Sequence, residues 1–261
     1  MIKDYIYRQN HEIEISRYTL KSTKLLVDSF RIIHLSDSHN QDFDKYNPDL
    51  YQILSNLKPN IILISGDVID SRNLNYDLAL NFLKNLSLIC DVYYVSGNHE
   101  SRILDIELLF NKMKEIGIII LKNESINLDN GINIFGLDDV SFYLDEDKEK
   151  FHASWIEEKL NEYFVDQNLY NILLTHRPER FDSYVKFNYD LVLTGHAHGG
   201  QFRLPYIGGL FAPNQGIFPK YSAGLYTKNN TNMINNRGIG PSRFPLRLNN
   251  KPEIIVVDFE S

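Results

Sequence analysis

Seven side chains able to hold a cation fall in five short polar clusters along the chain. Ser36-Asp37-Ser38-His39 supplies Asp37 and His39, Ser65-Gly66-Asp67 supplies Asp67, and Ser96-Gly97-Asn98-His99 supplies Asn98. Thr175-His176 supplies His176, and Thr194-Gly195-His196-Ala197-His198 supplies His196 and His198. The set is carboxylate, imidazole and amide with no thiolate, which suits Mn, Fe, Zn or a similar ion better than soft copper. Asp37 and His39 are close enough in sequence for one short loop to aim both at one ion. His196 and His198 share that spacing and, on an extended segment, point the same way. A pair of ions needs at least one bridging carboxylate. Asp67, on a tight turn after a strand, is the best candidate, with both of its oxygens expected to bridge. Each cluster alone means little, because a buried histidine is more often a packed core group than a ligand. The ordered set carries the signal. His11, His34 and His152 match no motif and read as structural or surface residues.

Each cluster follows a short β-branched run. These runs are residues 31–35, 61–64, 92–95, 172–174 and 191–193, and 132–137 and 253–259 are further strands. Helical periodicity covers 48–57, 74–88, 105–116 and 153–163, and Pro178 opens another helical stretch, 178–185. Residues 12–30 read as one or two edge strands. Alternation of strand and helix argues for an α/β fold with a largely parallel sheet. Ligands of such sheets sit beyond the carboxyl ends of the strands, so the clusters can converge in space. Nine of the 14 glycines lie between Gly195 and Gly240, which argues for loops and tight turns there. The Asn-rich run Asn229, Asn230, Asn232, Asn235 and Asn236 reads as an exposed loop. The charged run from Asp145 through Glu146, Asp147, Lys148 and Glu149 to Lys150 reads as a solvated loop or helix start. Trp155 and the aromatic residues of the helices read as core.

A chain of 261 residues is expected to be a single domain, 1–261, with 199–250 as Gly/Pro-rich loops on the substrate side. A hydrophobic content of 43% is enough for a sizeable core. The formal net charge of -7 is opposite to the basic footprint of a nucleic-acid binder, so no nucleic acid polymer is expected as a partner. An acidic protein facing a phosphate needs local positive charge, which metal ions supply. Cys90 is the single cysteine, so no internal disulfide forms. No stretch has the apolar h-region of a signal peptide or approaches the roughly 20 apolar residues of a membrane span. A cytoplasmic setting is the default expectation.

The series Asp-x-His, Gly-Asp, Gly-Asn-His-Glu, a later His, and Gly-His-x-His resembles the signature of the calcineurin-like metallophosphoesterases. Order and strand-end placement match from Asp37 to His198. Gly199-Gly200-Gln201 and Asn236-Arg237-Gly238-Ile239-Gly240 resemble the bacterial YkuE-like phosphodiesterase branch, and the likeness covers most of the chain from Arg31 onward. The resemblance implies a four-layer α/β/β/α sandwich of two mixed sheets packed face to face, which periodicity alone does not. It implies two divalent metal ions, the first held by Asp37, His39, Asp67 and His198 and the second by Asp67, Asn98, His176 and His196. It places His99 beside them, either donating to a phosphoryl oxygen or protonating the leaving group. Asp70 matches the second acid of a Gly-Asp-x-x-Asp element and is expected to orient His99. The usual Gly-Asn-His-Asp reads Gly97-Asn98-His99-Glu100 here, with Glu100 outside the ligand set. Members of the branch often carry an N-terminal membrane or export segment, and none is apparent in this sequence.

The expected function is binuclear metal-dependent hydrolysis of a small-molecule phosphoester, foremost a phosphodiester, by a metal-bridging hydroxide. Two cations about 3.5–4 Å apart clamp attacking and leaving oxygens and lower the pKa of a shared water toward about 7. Arg203, Arg237, Arg243 and Arg247 lie in the late region, and arginine contacts phosphate bidentately. Arg203 and Arg237 are expected to bind substrate, although ordinary surface charge is the plainer reading of any one arginine. Apolar residues such as Phe202, Leu210, Phe211 and Phe218 either close over the sheet as core or line a pocket for a lipid-bearing or aromatic substrate. The alternatives are a phosphomonoesterase or protein phosphatase, a nucleotide-lipid pyrophosphatase, and a non-catalytic metal-binding scaffold. A scaffold has no need of all seven ligands together with His99, which favours catalysis.

Overall fold

Two six-stranded mixed sheets form around central strands that are apolar on both faces. In the computed structural model, which describes residues 2–145, 148–242, 244 and 246–260, the first sheet has the order β1-β16-β2-β3-β4-β5, strands being numbered along the chain. These are β1 Glu14–Lys21, β2 Ser29–Leu35, β3 Ile61–Ile64, β4 Asp91–Tyr94, β5 Ile118–Ile120 and β16 Glu253–Glu260. The second sheet holds β6 Glu124–Asn127, β7 Ile132–Gly136, β8 Tyr170–Leu174, β9 Leu191–Thr194, β14 Gly224–Lys228 and β15 Thr231–Asn235, in the order β14-β15-β9-β8-β7-β6. Strands β2, β3, β4 and β5 run parallel in the first sheet, and β7, β8, β9 and β15 in the second. Two small hairpins interrupt the path from β9 to β14. One pairs β10 Arg203–Leu204 with β11 Gly208–Gly209, the other β12 Phe211–Ala212 with β13 Gly216–Ile217.

Side chains alternate across each strand, and in central strands such as β3, β8 and β9 both faces are buried. Ile32, Leu63 and Tyr93 of the first sheet meet Ile134, Ile172 and Leu193 of the second in a core between the sheets. Their neighbours Ile33, Ile62 and Val92 point the other way, toward α3 Leu50–Asn56, α4 Tyr76–Ser87 and α5 Ile106–Glu115, which contribute Leu54, Leu83 and Phe110. Phe135, Leu173 and Val192 face α6 Glu149–Asn161 and α7 Phe181–Tyr184, which contribute Leu160 and Tyr184. This is the four-layer sandwich, its inner layers two sheets packed face to face. Truncating one inner residue, such as Leu193→Ala, costs about 2–5 kcal/mol. No helix among the described residues is long and apolar enough to cross a membrane.

Several elements differ from expectation. α1 Ile2–His11 and the short α2 Phe43–Tyr46 carry no strong sequence signal. The stretch from Pro178 divides into 3-10 turns flanking the four-residue α7. The Asn-rich run is not an exposed loop throughout, because residues 231–235 form β15 and Asn235 and Asn236 are fully buried. Burial is tolerated because the amides are satisfied. Asn236 Nδ2 donates to His34 O at 2.8 Å and its Oδ1 accepts from Gly238 N at 2.8 Å. Asn235 Oδ1 accepts from Thr194 Oγ1 at 3.2 Å. Glu146 and Asp147 of the charged run, and Arg243, lie outside the described residues. His34 and His152 are buried and bonded to Ser65 Oγ and Asp145 O, and His11 stacks on Tyr46, as structural roles require. Trp155 packs on the outer core, stacked on Tyr143 at 4.5 Å.

Candidate metal centre

The carboxyl ends of β2, β3, β4, β8 and β9 open on one place, and the loops leaving them are stitched together through the backbone. Asp37 N donates to Gly66 O, His39 N to Asp67 O, and Gly195 N to His176 O, at 3.0–3.1 Å. The loop 236–240 closes over the first of them, with Gly240 N donating to Asp37 O at 2.9 Å. A side chain at Gly240 has no room, since its Cβ would fall 2.0 Å from Ser38 O. Asp37, His39, Asp67, His196 and His198 all have φ between 43° and 66°. Left-handed backbone is uncommon for residues with a Cβ and costs of order 1 kcal/mol or more each. Such strain persists where surrounding structure over-determines it, and here it aims five side chains inward.

Two groups of donors result. In the first, His198 Nε2 lies 3.1 Å from His39 Nε2 and 3.3 Å from Asp37 Oδ1. Asp37 Oδ1 is buried and has no hydrogen-bond partner, whereas Oδ2 accepts from Ser36 Oγ and His196 N. In the second, His176 Nε2 lies 3.1 Å from His196 Nδ1, 3.2 Å from Asn98 Oδ1 and 3.3 Å from Asp67 Oδ2. Asp67 Oδ2 is also 3.8 Å from His39 Nε2, so it stands between the groups. Its Oδ1 accepts from His99 N at 2.8 Å. A single oxygen therefore faces both groups, rather than the two expected.

The surroundings leave lone pairs pointing inward. His176 Nδ1 lies 2.6 Å from Ser65 O, which only accepts, so Nδ1 carries a proton and, in the neutral ring, Nε2 is bare. His196 Nε2 donates likewise to Asn214 Oδ1 at 3.0 Å, leaving Nδ1 bare. Hydrogen bonds of this kind set the tautomer of metal-binding imidazoles. The Asn98 amide can serve in two ways. Turned over, its nitrogen reaches His196 Nδ1 at 2.9 Å and its oxygen accepts from Arg102. With its oxygen inward it completes a set of converging acceptors that a cation satisfies. Asp37, His39 and His198, and Asp67, His176 and His196, are thus two groups chemically fit to hold a divalent ion.

Around these groups lie residues to which the motifs gave no role. Glu100 is fully buried, and its carboxylate accepts from Gly97 N at 2.8 Å, Val68 N at 2.8 Å, Asp67 N at 3.1 Å and Ile69 N at 3.3 Å. It binds the Asp67 loop to the Asn98 loop. Arg177 makes a buried two-pronged contact with Asp139 at 2.7 and 3.0 Å and donates to Asn214 Oδ1, the partner of His196. Burial opposes the Asp139 charge, but Arg177 overrides it and holds the carboxyl well below the usual range.

Asp70 Oδ1 lies 3.3 Å from His99 Nδ1. The His99 tautomer is set by Ser71, whose N–H donates into Nδ1 at 3.1 Å and leaves the ring proton on Nε2. Both Asp70 oxygens grip Arg72, at 2.6–2.9 Å. Burial, outweighing the nearby Asp67 charge, pushes His99 down to about 4. Burial opposes ionisation of Asp70 too, but the Arg72 hydrogen bonds prevail and lower it to about 2.

A cavity of about 830 Å³ opens from the two groups. Arg72 and Arg102 line it beside His99, and Phe202, Leu210, Phe211, Pro213 and Phe244 form its other wall. Arg203 and Arg237 are not among the lining residues. Arg203 donates to Gly199 O and Ser222 Oγ, and Arg237 pairs with Glu253 at 2.9 Å and Glu14 at 3.1 Å. Arg247 is buried among backbone carbonyls of residues 237, 238, 240 and 250. The only sequence signal for Arg72 and Arg102 was their place just after the Gly-Asp and Gly-Asn-His clusters.

Residues 30–200 match the calcineurin-like phosphoesterase family. The metallophosphoesterase YkuE of Bacillus subtilis is 29% identical, over 98% of this chain and 88% of its own length. The phosphodiesterase YaeI of Escherichia coli is 27% identical, over 94% of this chain and 87% of its own. Among solved structures, TT1561 of Thermus thermophilus matches with a TM-score of 0.54 at 12% identity, covering 81% of this chain and 89% of that one. A dimetal phosphatase from Danio rerio matches at 0.52 and 12%, covering 80% and 87%. At that identity the two structures bear on the fold alone.

Proposed function

The chain belongs to the calcineurin-like phosphoesterases, and from that premise we propose that it hydrolyses phosphodiesters at a pair of divalent metal ions. One observation carries the binuclear part: Asp67 Oδ2 lies within 3.3 Å of His176 Nε2 and 3.8 Å of His39 Nε2, between two groups of converging donors. Asp37, His39, Asp67 and His198 would hold one ion, and Asp67, Asn98, His176 and His196 the other. The donor set suits Mn, Fe or Zn. Such ions, when bound, supply positive charge to the phosphoryl group and a nucleophile from water.

The protein's own residues supply position and charge. His99, with its proton on Nε2, donates to a phosphoryl oxygen. Arg72, gripped by Asp70, sets a guanidinium on the cavity wall, where it neutralises a phosphate oxygen. Asp70 thus acts first through Arg72. Ser65 and Asn214 keep His176 and His196 in the tautomers that present bare nitrogens.

The diester preference is supported by the cavity. Its apolar residues Phe202, Leu210, Phe211 and Phe244 line the same cavity as the metal-binding groups and offer contact to a second ester arm, which a monoester lacks. The relative named a phosphodiesterase points the same way. Metal-reconstituted protein should turn over a chromogenic diester faster than the monoester with the same leaving group. A monoester preference would overturn the diester reading, and failure to retain any metal after reconstitution would overturn the binuclear one.

A further inference from the structure

The two hairpins beside the cavity expose large apolar side chains where a water-facing surface has no use for them. Tyr206 at the tip of the first is fully exposed and its neighbour Ile207 is 61% exposed. On the second, Phe211 and Ile217 face each other across the β12–β13 pairing, exposed at 50% and 70%, and Phe218 follows at 60%. Tyr206 and Phe218 have φ of 66° and 57°. A bulky residue in left-handed backbone is an outlier whose persistence points to function. Glycine or asparagine would relieve the strain at either place, but neither would present an aromatic ring.

Phe211 and Phe244 are exposed at the surface and also line the cavity. The apolar surface therefore continues inward to the phosphate-binding end. The segment is also free of acidic residues: from Leu191 to Pro252 there is no Asp or Glu, although the chain as a whole has a net charge of -7. Of the seven Lys or Arg in it, Arg237 and Arg247 are buried and Arg203 is bonded to Gly199 and Ser222. Lys220, two residues after Phe218, is exposed and stands 3.5 Å from the exposed Asp182.

We propose that these hairpins dock the protein on a lipid bilayer carrying anionic headgroups, with the cavity mouth turned toward the bilayer. Apolar side chains that protrude from hairpin tips at half to full exposure enter a fluid interface without needing a complementary surface. A span free of carboxylates avoids repulsion by anionic headgroups. The docking surface stands apart from the diesterase reading; only its meaning for the substrate, a phosphoester presented from a bilayer, rests on that reading.

The test is flotation of the full chain with vesicles of phosphatidylcholine plus phosphatidylglycerol, and with vesicles of phosphatidylcholine alone. The wild type should float with the mixed vesicles and less with the neutral ones. Tyr206→Ser/Ile207→Ser and Ile217→Ser/Phe218→Ser should each lower vesicle partitioning about tenfold or more, while turnover of a soluble diester stays unchanged. Wild type that does not float, or double variants that float as wild type does, would overturn the proposal. A dimer in solution that either double variant dissociates would overturn it too, by making the surface a contact between copies. Flotation without any diester turnover would sink the catalytic reading and leave the docking surface supported.

Discussion

Glu100→Gln should damage the metal centre although Glu100 is not among the metal-binding candidates. Burial and the Asp67 charge push Glu100 up to about 7, and above that pH the ionised carboxylate only accepts. Oε1 takes Val68 N and Ile69 N, and Oε2 takes Gly97 N and Asp67 N. A glutamine keeps one oxygen and puts an NH₂ where the other was. Two backbone N–H groups then face a donor inside a fully buried site. Each orphaned buried donor costs about 1–3 kcal/mol, so the sum is roughly 2–6 kcal/mol, with the lower half expected because the loops relax. For a chain of this size, about 2–3 kcal/mol lowers Tm by roughly 5–10 °C. The two loops that lose their tie carry Asp67 and Asn98, so metal affinity should fall by about 10–100-fold, the range seen when supports of metal ligands are removed. Thermal unfolding of metal-free protein reads the first effect, and elemental analysis across a metal titration reads the second. If Glu100→Gln kept the wild-type Tm and bound both ions as tightly, the view of Glu100 as the tie between the loops would be wrong.

Asp67→Asn should strip metal from both sites, because its remaining oxygen is held by His99 N and an NH₂ would face the two groups, whereas Asn98→Ala should weaken one site; elemental analysis that finds full occupancy in Asp67→Asn would refute the bridge. His99→Ala should retain metal and lose about 10²–10⁴ in rate. Because Ser71 N–H occupies Nδ1, the loss should be similar for good and poor leaving groups, and a loss confined to poor ones would instead assign His99 to leaving-group protonation. Asp139→Ala should take the two-pronged partner from buried Arg177 and leave it Glu179, 3.5 Å away, as its counter-charge, at a cost of up to about 3–5 kcal/mol in denaturant titration. The folded pKa of Asp139 is depressed, so its stabilisation is present above the unfolded value of 3.8 and is lost as pH falls below it. The wild type should therefore lose more stability than Asp139→Ala on acidification below about pH 4, and parallel acid limbs would contradict this.

The seven candidate ligands were legible in the sequence because each sits within a few residues of the end of a β-branched run. Local spacing fixes residue type and chain direction, and the parallel strands do the rest. The strands 61–64 and 191–194 and the helices 76–87 and 106–115 were legible for the same reason, since their periodicity is local. Tertiary structure decided what depends on partners distant in sequence. Asn235 and Asn236 look like loop residues until Thr194 and His34 are seen to satisfy their amides. Arg203 and Arg237 look like phosphate ligands until Gly199, Ser222, Glu253 and Glu14 are seen to occupy them, while Arg72 and Arg102 reach the cavity. Glu100 looks like a neighbour of the ligands until its four amide partners appear. The same apolar segment after His198 reads equally well as core or as pocket, and only the packing reveals that Leu210 and Phe202 line the cavity while Tyr206 and Ile217 stand in solvent. A sequence specifies which groups a side chain can bond. Which of them it meets is decided by burial, because a polar group taken out of water must find its partner wherever the fold brings one.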